Sequence, residues 1–230
     1  MLDLFCKAGG AAVGYSRAGF DVIGVDIQDQ PHYPFPFYRG DAVKIAAAVK
    51  HGEFDAIHAS PPCQAFSALR NMKNAKTTHL DLLTPIRTIL AATKIPYVIE
   101  NVPGAPMRRD YVLCGTKFGL GTDDAQLRRH RWFEVGNGWP WSLVPPCDHD
   151  KRAGIEVYGH GTPGRVYRKA KTVCVNGKPG GTSSRDGILF HSQNERCVAM
   201  GIDWMNRDEL TQAIPPAYTE FIGRQLLRVL

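Results

Sequence analysis

The sequence predicts a doubly wound α/β domain, and two observations support this fold class. Over the first 135 residues, short apolar runs rich in β-branched residues alternate with helix-compatible stretches, as in a parallel sheet covered by helices on both faces. Among the 230 residues, 43% are hydrophobic, 22% charged and 10% aromatic, which is typical of a globular protein. A disordered chain, a collagen-like repeat and a coiled coil are excluded, and we expect one compact domain.

Each element of this domain follows from a local pattern. Strands are expected at Leu2–Cys6, Val22–Asp26, Ala56–Ala59, Tyr97–Glu100, Tyr111–Cys114 and Trp132–Val135. Helices are expected at Ala11–Ala18, at Ala42–Lys50, around the helically spaced Leu83, Ile86 and Leu90, at Glu195–Met200 and at Asp208–Gln212. Because proline is tolerated in a first turn, a last helix would begin at Pro215-Pro216 and turn Phe221, Leu226 and Leu227 toward the domain.

Positive charge is concentrated in one region of the chain. The net charge is +6, and residues 128–185 hold 11 Lys or Arg against 4 Asp or Glu. From Gly136 to about Gly187 the composition shifts to Gly, Pro, basic and aromatic residues with many turn signals. We therefore expect a small basic insert, 136–187, within a body formed by 1–135 and 188–230. Such a lobe suits a polyanion, and a solvated basic surface is the alternative.

The cysteines predict free thiols, because the six are far apart and form no CxxC pair. Cys147, His149, His160 and Cys174 have ligand chemistry, but their spacing matches no familiar zinc motif. We interpret them as scattered polar loop residues and predict no metal. No apolar run approaches the ~20 residues that span a bilayer, so we expect a cytoplasmic protein without membrane contact.

A small-residue turn joins the first predicted strand to the first helix. It spans Asp3–Gly10, where backbone can approach a ligand closely and helix N–H groups point outward. The second strand ends in Asp26, where an acidic side chain in such folds accepts bonds from ribose hydroxyls. The pair predicts a nucleoside-containing cofactor. Because the spacing departs from GxGxxG, an adenosyl ligand without a pyrophosphate fits better than a nicotinamide dinucleotide.

Reactive side chains follow the next strands. The Cys63 thiol would stand at the carboxyl end of a strand, in the run Ser60-Pro61-Pro62-Cys63-Gln64. Open α/β sheets bind their ligands at this end of the strands. Glu100 ends the neighbouring predicted strand and would share the same crevice. Arg129 and Arg131 fall on one face by the period of two and would hold a phosphate or carbonyl; a plain basic surface is the alternative. A nucleophile beside an acid indicates an enzyme.

Together these motifs resemble those of the DNA (cytosine-5) methyltransferases, particularly small phage and actinobacterial members. In the family's order, they are Asp3–Gly10 for the cofactor turn, Asp26 for the ribose acid, Gly40-Asp41 for the adenine segment, Pro61–Gln64 for the catalytic motif, Glu100-Asn101-Val102 for the acid motif, Arg129 and Arg131 for the arginine motif, and Thr211–Pro216 for the closing motif. The resemblance implies a Rossmann-like class I S-adenosylmethionine-dependent methyltransferase fold with a small basic target-recognition insert.

The resemblance also implies a role for individual residues. Catalysis would use Cys63, Glu100, Arg129 and Arg131, with Cys63 adding to C6 of a flipped cytosine. S-adenosylmethionine would contact Asp3, Phe5, Lys7, Ala8, Gly9, Gly10, Asp26, Ile27, Asp41, Pro61, Gln212 and Ala213. Double-stranded DNA would contact Gln64, Ser67, Arg165, Arg168, Lys169 and Lys171. One active crevice is enough for this reaction, so a monomer is expected.

Three positions depart from the family pattern. Lys7 replaces a usual Gly, Leu127 a Gln, and Gln212 an Asn, and a lysine near the donor's carboxylate would let a modified S-adenosylmethionine be used. The alternatives are RNA cytosine methylation and a catalytically silent nucleic-acid-binding protein of the same fold. The hypothesis that the chain is a nicotinamide oxidoreductase would account only for the small-residue turn Asp3–Gly10 and for Asp26.

Overall fold

A central mixed sheet organises the structure, a computed structural model that describes residues 1–62, 81–123, 125–138, 144, 146, 147, 149, 192–228 and 230. Its seven strands are β1 (Leu2–Leu4), β2 (Ile23–Asp26), β3 (Phe37–Arg39), β4 (Ile57–Ala59), β5 (Tyr97–Asn101), β6 (Tyr111–Leu113) and β9 (Arg131–Gly136). Two further short strands, β7 (Gly121–Thr122) and β8 (Ala125–Gln126), form a separate antiparallel ribbon.

The order of the strands fixes where a ligand can bind. Across the sheet it is β3-β2-β1-β4-β5-β9-β6, parallel from β3 to β5, with β9 antiparallel to both β5 and β6. The chain first adds β2 and β3 on one side of β1 and then adds β4 and β5 on the other side. Ligands of open α/β sheets bind outside the strand ends at such a reversal, which here lies between β1 and β4.

Helices cover both faces of the sheet. They are α1 (Gly10–Ala18), α2 (Ala42–Ala48), α3 (Leu83–Thr93), α4 (Gln193–Met200), α5 (Arg207–Gln212) and α6 (Pro216–Leu226), with a short 3-10 helix at Gly115–Phe118. On one face, Tyr15 of α1 and Ile222 of α6 are fully buried; on the other, α3 buries the predicted Leu83, Ile86 and Leu90. The predicted doubly wound architecture and all six predicted helices are confirmed. No helix within the described ranges is long and apolar enough to cross a membrane.

Several local predictions were wrong. Strand β3 was missed, because Pro34 and Pro36 made the segment look like a loop, although proline is tolerated directly before an edge strand. Strand β1 ends at Leu4 rather than at Cys6, because Phe5 turns into left-handed backbone with φ 58°. Leu227, predicted to face the domain, follows the last helical residue and is 43% exposed.

Close packing between α1 and α6 holds the segment Thr211–Pro216, called here the closing segment, near the predicted cofactor turn Asp3–Gly10. A Cβ added at Gly14 of α1 would collide with Thr219 Oγ1 and with the Pro216 carbonyl oxygen of α6. Because both groups are fixed by hydrogen bonds, we expect Gly14→Ala to lower the free energy of unfolding by about 3 kcal/mol, the upper end of overpacking costs. Urea unfolding followed by circular dichroism measures this loss.

Gly52→Ala is the matched control for that substitution. Nothing lies within 4 Å of a Cβ at Gly52, so only its positive φ of 91° opposes a side chain. We expect a loss of about 1–2 kcal/mol from the backbone alone. Equal losses in the two variants would contradict a tight α1–α6 contact.

Candidate active site

The turn after β1 is held in an unusual backbone conformation. Phe5, Lys7 and Gly9 have φ of 58°, 47° and 84°, in the left-handed region that costs non-glycine residues ~1–3 kcal/mol. The Lys7 amide donates to Asp26 Oδ2 at 3.2 Å, which fixes the turn against the end of β2. The positive φ also explains why a glycine is usual where Lys7 stands. The predicted cofactor turn and ribose acid therefore adjoin.

Asp3 lies beneath this turn as a buried carboxylate. Its exposure is 0%, and the buried Tyr33 hydroxyl faces it and acts against the rise in its pKa. Burial, followed by the nearby charge of Asp26, raises the pKa of Asp3 well above its ordinary value. A fully buried carboxyl group is costly, so Asp3 marks a place where a ligand's donor group would be stabilising.

The other predicted adenosine contacts surround the end of β2. Asp26 is 3% exposed, and its Oδ1 accepts from the Gln28 amide at 3.1 Å, so each of its carboxylate oxygens accepts one backbone N–H. Ile27, the next residue, is 67% exposed and offers an apolar surface. Asp41 caps α2, its Oδ1 accepting from the amides of Val43 and Lys44 at 2.9 and 3.3 Å. That cap gives Asp41 a structural function whether or not it also contacts a ligand.

A cleft of about 520 Å³ opens beside the turn. It is lined by Lys7 and Gln212, by the loop 28–31 and by residues 206–209 at the start of α5. Its volume lies within the ~300–1,000 Å³ usual for small-molecule sites. Two residues predicted to bind cofactor, one from each end of the chain, therefore line one cleft.

The segment between α5 and α6 closes over the cofactor turn. A Cβ at Gly10 would lie 2.5 Å from the Ile214 carbonyl oxygen and 3.4 Å from the Ala213 Cβ. Trp204 Nε1 donates to the Ala8 carbonyl at 2.8 Å from the same side. Ala8, Gly10 and Ala213, all predicted cofactor residues, are thus packed together, and Gly10 is small because the closing segment lies against it.

Glu100, predicted as the acid, stands buried at the end of β5. It is 6% exposed, and Arg131 Nε lies 2.9 Å from its Oε1. Burial raises the pKa of Glu100 above its ordinary value, and this effect outweighs Arg131, a hydrogen bond from Ser60 and the charge of Arg129, which all lower the pKa. A carboxyl group with a raised pKa, fixed beside a cation, is suited to donate a proton or hydrogen bond.

A buried chain of hydrogen bonds that the sequence analysis missed supports Glu100. His58 is fully buried in β4, and burial lowers its pKa to about 3, so the imidazole is neutral. Its Nε2 lies 2.8 Å from Ser60 Oγ, and its Nδ1 lies 3.0 Å from the Tyr15 hydroxyl. The Ser60 hydroxyl has a single proton, which it donates to Glu100, so it accepts a hydrogen bond from His58 Nε2. The other ring nitrogen of the neutral His58, Nδ1, then accepts a hydrogen bond from the Tyr15 hydroxyl. A histidine inside an apolar strand, directly before the Ser-Pro-Pro turn, was the available signal.

Arg129 and Arg131 have different partners. The Arg129 guanidinium donates to the Thr211 carbonyl at 2.6 Å and to the Ala213 carbonyl at 3.0 and 3.1 Å. The Tyr218 hydroxyl donates to the Arg129 carbonyl at 2.6 Å. Arg129 therefore connects the chain before β9 to the closing segment, whereas Arg131 contacts Glu100. The sequence spacing predicted that both arginines lie near the site, but it did not predict that they contact different partners.

Asn101 anchors the start of the predicted catalytic motif. Its Nδ2 donates to the Pro61 carbonyl at 3.0 Å in a buried position, beside Glu100 on the same strand. The predicted nucleophile Cys63, the DNA contacts Gln64, Ser67, Arg165, Arg168, Lys169 and Lys171, and the residues His160 and Cys174 lie outside the described residues. The described residues therefore include the predicted cofactor contacts and the predicted acid, and they do not include the predicted nucleophile.

Comparisons with known proteins agree with this geometry. Residues 1–113 match the profile of the family described as C-5 cytosine-specific DNA methylase. The type II methyltransferase M.XorII of Xanthomonas oryzae pv. oryzae is 28% identical over 123 residues, which cover 45% of this chain. The same residues cover 28% of that relative, so the chain spans under a third of the length of the curated protein it matches.

Two solved structures resemble the whole chain. One is a candidate DNA modification methyltransferase encoded within an Escherichia coli prophage, with TM-score 0.56, 17% identity, and coverage of 99% of this chain and 98% of that one. The other is the S. pombe Dnmt2 methyltransferase, with TM-score 0.54, 13% identity and the same coverages. At these identities the likeness concerns the fold alone, and it confirms the predicted class I methyltransferase fold.

Proposed function

We propose that the chain transfers a methyl group from S-adenosylmethionine to C5 of cytosine in double-stranded DNA, since residues 1–113 match the C-5 cytosine-specific DNA methylase family. The observation that carries this proposal is Glu100, buried at a strand end and fixed by Arg131, next to the anchored start of the Pro61-Pro62-Cys63 motif. This arrangement supports a reaction in which a ring nitrogen is protonated beside a thiol nucleophile.

The residues around the β1–α1 turn fit S-adenosylmethionine. Asp3 offers a buried carboxyl group beside the Tyr33 hydroxyl, and exposed Ile27 offers an apolar surface for an adenine ring. Asp26 retains lone pairs for ribose hydroxyls, and Lys7 lies in the cleft wall, where its ammonium would pair with a carboxylate. When bound, the cofactor would supply an electrophilic methyl group on sulfur, and breaking of that carbon–sulfur bond would leave it as a neutral thioether.

The chain's own residues would activate the base. The Cys63 thiolate adds to C6, forming a carbon–sulfur bond, while Glu100 gives its proton or a hydrogen bond to N3. The electron density so created at C5 takes up the methyl group. Loss of the C5 proton to a base then restores the C5–C6 double bond and releases the thiolate. Arg131, which shares the pocket with Glu100, stabilises the charge that develops on the base.

Arg129 would be a positioning residue for this reaction. Its bonds to the Thr211 and Ala213 carbonyls hold the closing segment over the turn that contains Ala8 and Gly10. It would therefore support cofactor binding through Gln212 and Ala213, and its charge also acts on Glu100.

DNA binding would involve the basic segment 136–187. Its positive charge suits the phosphate backbone, and Arg165, Arg168, Lys169 and Lys171 are the proposed contacts there, together with Gln64 and Ser67 near the thiol. A stacked cytosine cannot reach the crevice, so the base must be rotated out at a cost of a few kcal/mol. The short segment predicts a short recognition site, read by a monomeric, cytoplasmic enzyme.

Labelled methyl transfer tests this proposal. Purified protein is incubated with S-adenosylmethionine carrying a labelled methyl group and with either duplex DNA or RNA of the same sequence. We expect the label in 5-methylcytosine from DNA. Label confined to RNA would overturn the DNA substrate and keep the chemistry, and label in neither polymer, with folded protein that binds the donor, would overturn the enzymatic function.

A further inference from the structure

Two cysteines and two histidines meet outside the proposed active site. Cys114, His130, Cys147 and His149 each offer one ligand atom, and these four atoms all lie within 4.8 Å of one another. Cys114 is buried, and the other three are partly buried. The interpretation of Cys147 and His149 as scattered loop residues was therefore wrong. They meet two partners, Cys114 and His130, that come from elsewhere in the sequence.

The sheet brings the first two of these residues together. Strands β6 and β9 pair in antiparallel register, with Leu113 opposite Arg131. One step further along that register, Cys114 follows β6 and His130 precedes β9, so the two stand opposite each other at the end of the ladder. Cys147 and His149 then come from the chain beyond β9. Only the strand pairing, and no local motif, makes this set visible.

Two cysteine–histidine distances in the cluster match those between the ligands of one metal ion. Cys114 Sγ lies 3.3 Å from His149 Nε2, and Cys147 Sγ lies 3.4 Å from His130 Nε2. A tetrahedral zinc ion, with bonds of about 2.3 Å to sulfur and about 2.0 Å to nitrogen, places its ligand atoms about 3.3–3.8 Å apart. The two histidine rings lie side by side, with their centroids 5.1 Å apart and their planes at 79°.

We propose that Cys114, His130, Cys147 and His149 bind one zinc ion in a closed, structural Cys2His2 site. Four protein ligands leave no open position for water or substrate, which distinguishes a structural zinc from a catalytic one. The hydroxyl of Thr116 donates to Cys114 Sγ at 3.5 Å, an outer-shell bond of the kind that orients metal ligands.

The position of the site gives the ion a function. His130 stands between Arg129 and Arg131, and its carbonyl accepts from Arg131 Nη1 at 2.9 Å. The ion would tie the chain that follows β9, where the basic segment begins, to the sheet edge beside these arginines. Its loss would free the start of that segment and loosen the support of Arg131. The proposal concerns metal binding and holds whether or not the chain methylates DNA.

Metal analysis of the purified protein tests the site. The protein is prepared without a histidine tag and dialysed against a weak chelator, and zinc is measured by plasma mass spectrometry. We expect about one zinc per chain in the wild type, well under half of that in Cys147→Ser and in His149→Asn, and full occupancy in Cys197→Ser. Cys197 is a suitable control because it is a partly buried cysteine of α4, outside the cluster.

A spectroscopic measurement keeps the test independent of folding defects. Wild-type protein stripped of metal and given cobalt should show the strong visible bands of a tetrahedral ion with thiolate ligands, and these bands should weaken in Cys147→Ser. Two results would overturn the proposal: wild-type protein that neither retains zinc nor yields these bands, or full zinc occupancy in a Cys147→Ser/His149→Asn double variant. Loss of zinc in His160→Asn or Cys174→Ser alone would also overturn the assigned ligand set.

Discussion

Glu100→Gln is expected to lower the rate of methyl transfer by about 10²–10⁴-fold, the usual contribution of a positioned acid. The amide preserves the size of the side chain but has no proton to transfer to N3. Because burial raises the pKa of Glu100, the wild-type group holds its proton to higher pH than an ordinary carboxyl. Measuring kcat with saturating DNA and donor gives the size of the loss.

The dependence of kcat on pH separates this role from a structural one. The protonated fraction of Glu100 falls as pH rises through its pKa, so the wild-type rate should fall on the alkaline side. The Gln variant should lack that falling limb and keep the rise that comes from ionisation of the thiol.

Glu134→Gln is the matched control for Glu100→Gln. Glu134 is a buried carboxylate of β9, paired at 2.8 Å with Arg87 of α3. Its substitution should lower stability and leave the pH profile of kcat unchanged. An unchanged rate in Glu100→Gln, or the same profile change in both variants, would contradict the proposed acid.

Cys63→Ala is expected to have the largest effect, a loss of about 10⁴-fold or more, as when a covalent nucleophile is removed from an enzyme. Without the thiolate, no bond to C6 forms and C5 has too little electron density to accept the methyl group. DNA binding should persist, because the basic segment is intact. Cys197→Ser should methylate normally.

Covalent trapping measures the same role directly. In DNA that carries 5-fluorocytosine, the C5 substituent cannot leave as a proton does, so the enzyme should remain bonded at C6. We expect a denaturation-resistant protein–DNA adduct with the wild type and none with Cys63→Ala. An adduct of equal yield in the alanine variant would assign the nucleophile to another residue.

The parts of the fold that local patterns determine could be predicted from the sequence. Helical spacing placed Leu83, Ile86 and Leu90 on one buried face, and the strand patterns placed Asp26 and Glu100 near the carboxyl ends of β2 and β5. At Phe5 the backbone leaves the extended conformation, so the sequence pattern predicted a first strand that is longer than the observed one.

Long-range partners could not be predicted in this way. The bond from Arg129 to Ala213 joins residues 84 positions apart, and the meeting of Cys114 with His130 depends on the β6–β9 register. The chain from Tyr15 through His58 to Ser60 likewise depends on packing between α1 and β4. Such contacts follow from the assembled sheet, and neither residue spacing nor a family resemblance carries information about them.

Nucleoside mass spectrometry of DNA from cells that express the chain tests the central claim most directly. Cells of the same strain that express Cys63→Ala at an equal soluble level provide the comparison. We expect 5-methylcytosine only with the intact thiol, and sequencing of the modified positions would then give the recognition site. Equal amounts of 5-methylcytosine in the two cultures, or none in either, would contradict DNA cytosine methylation through Cys63.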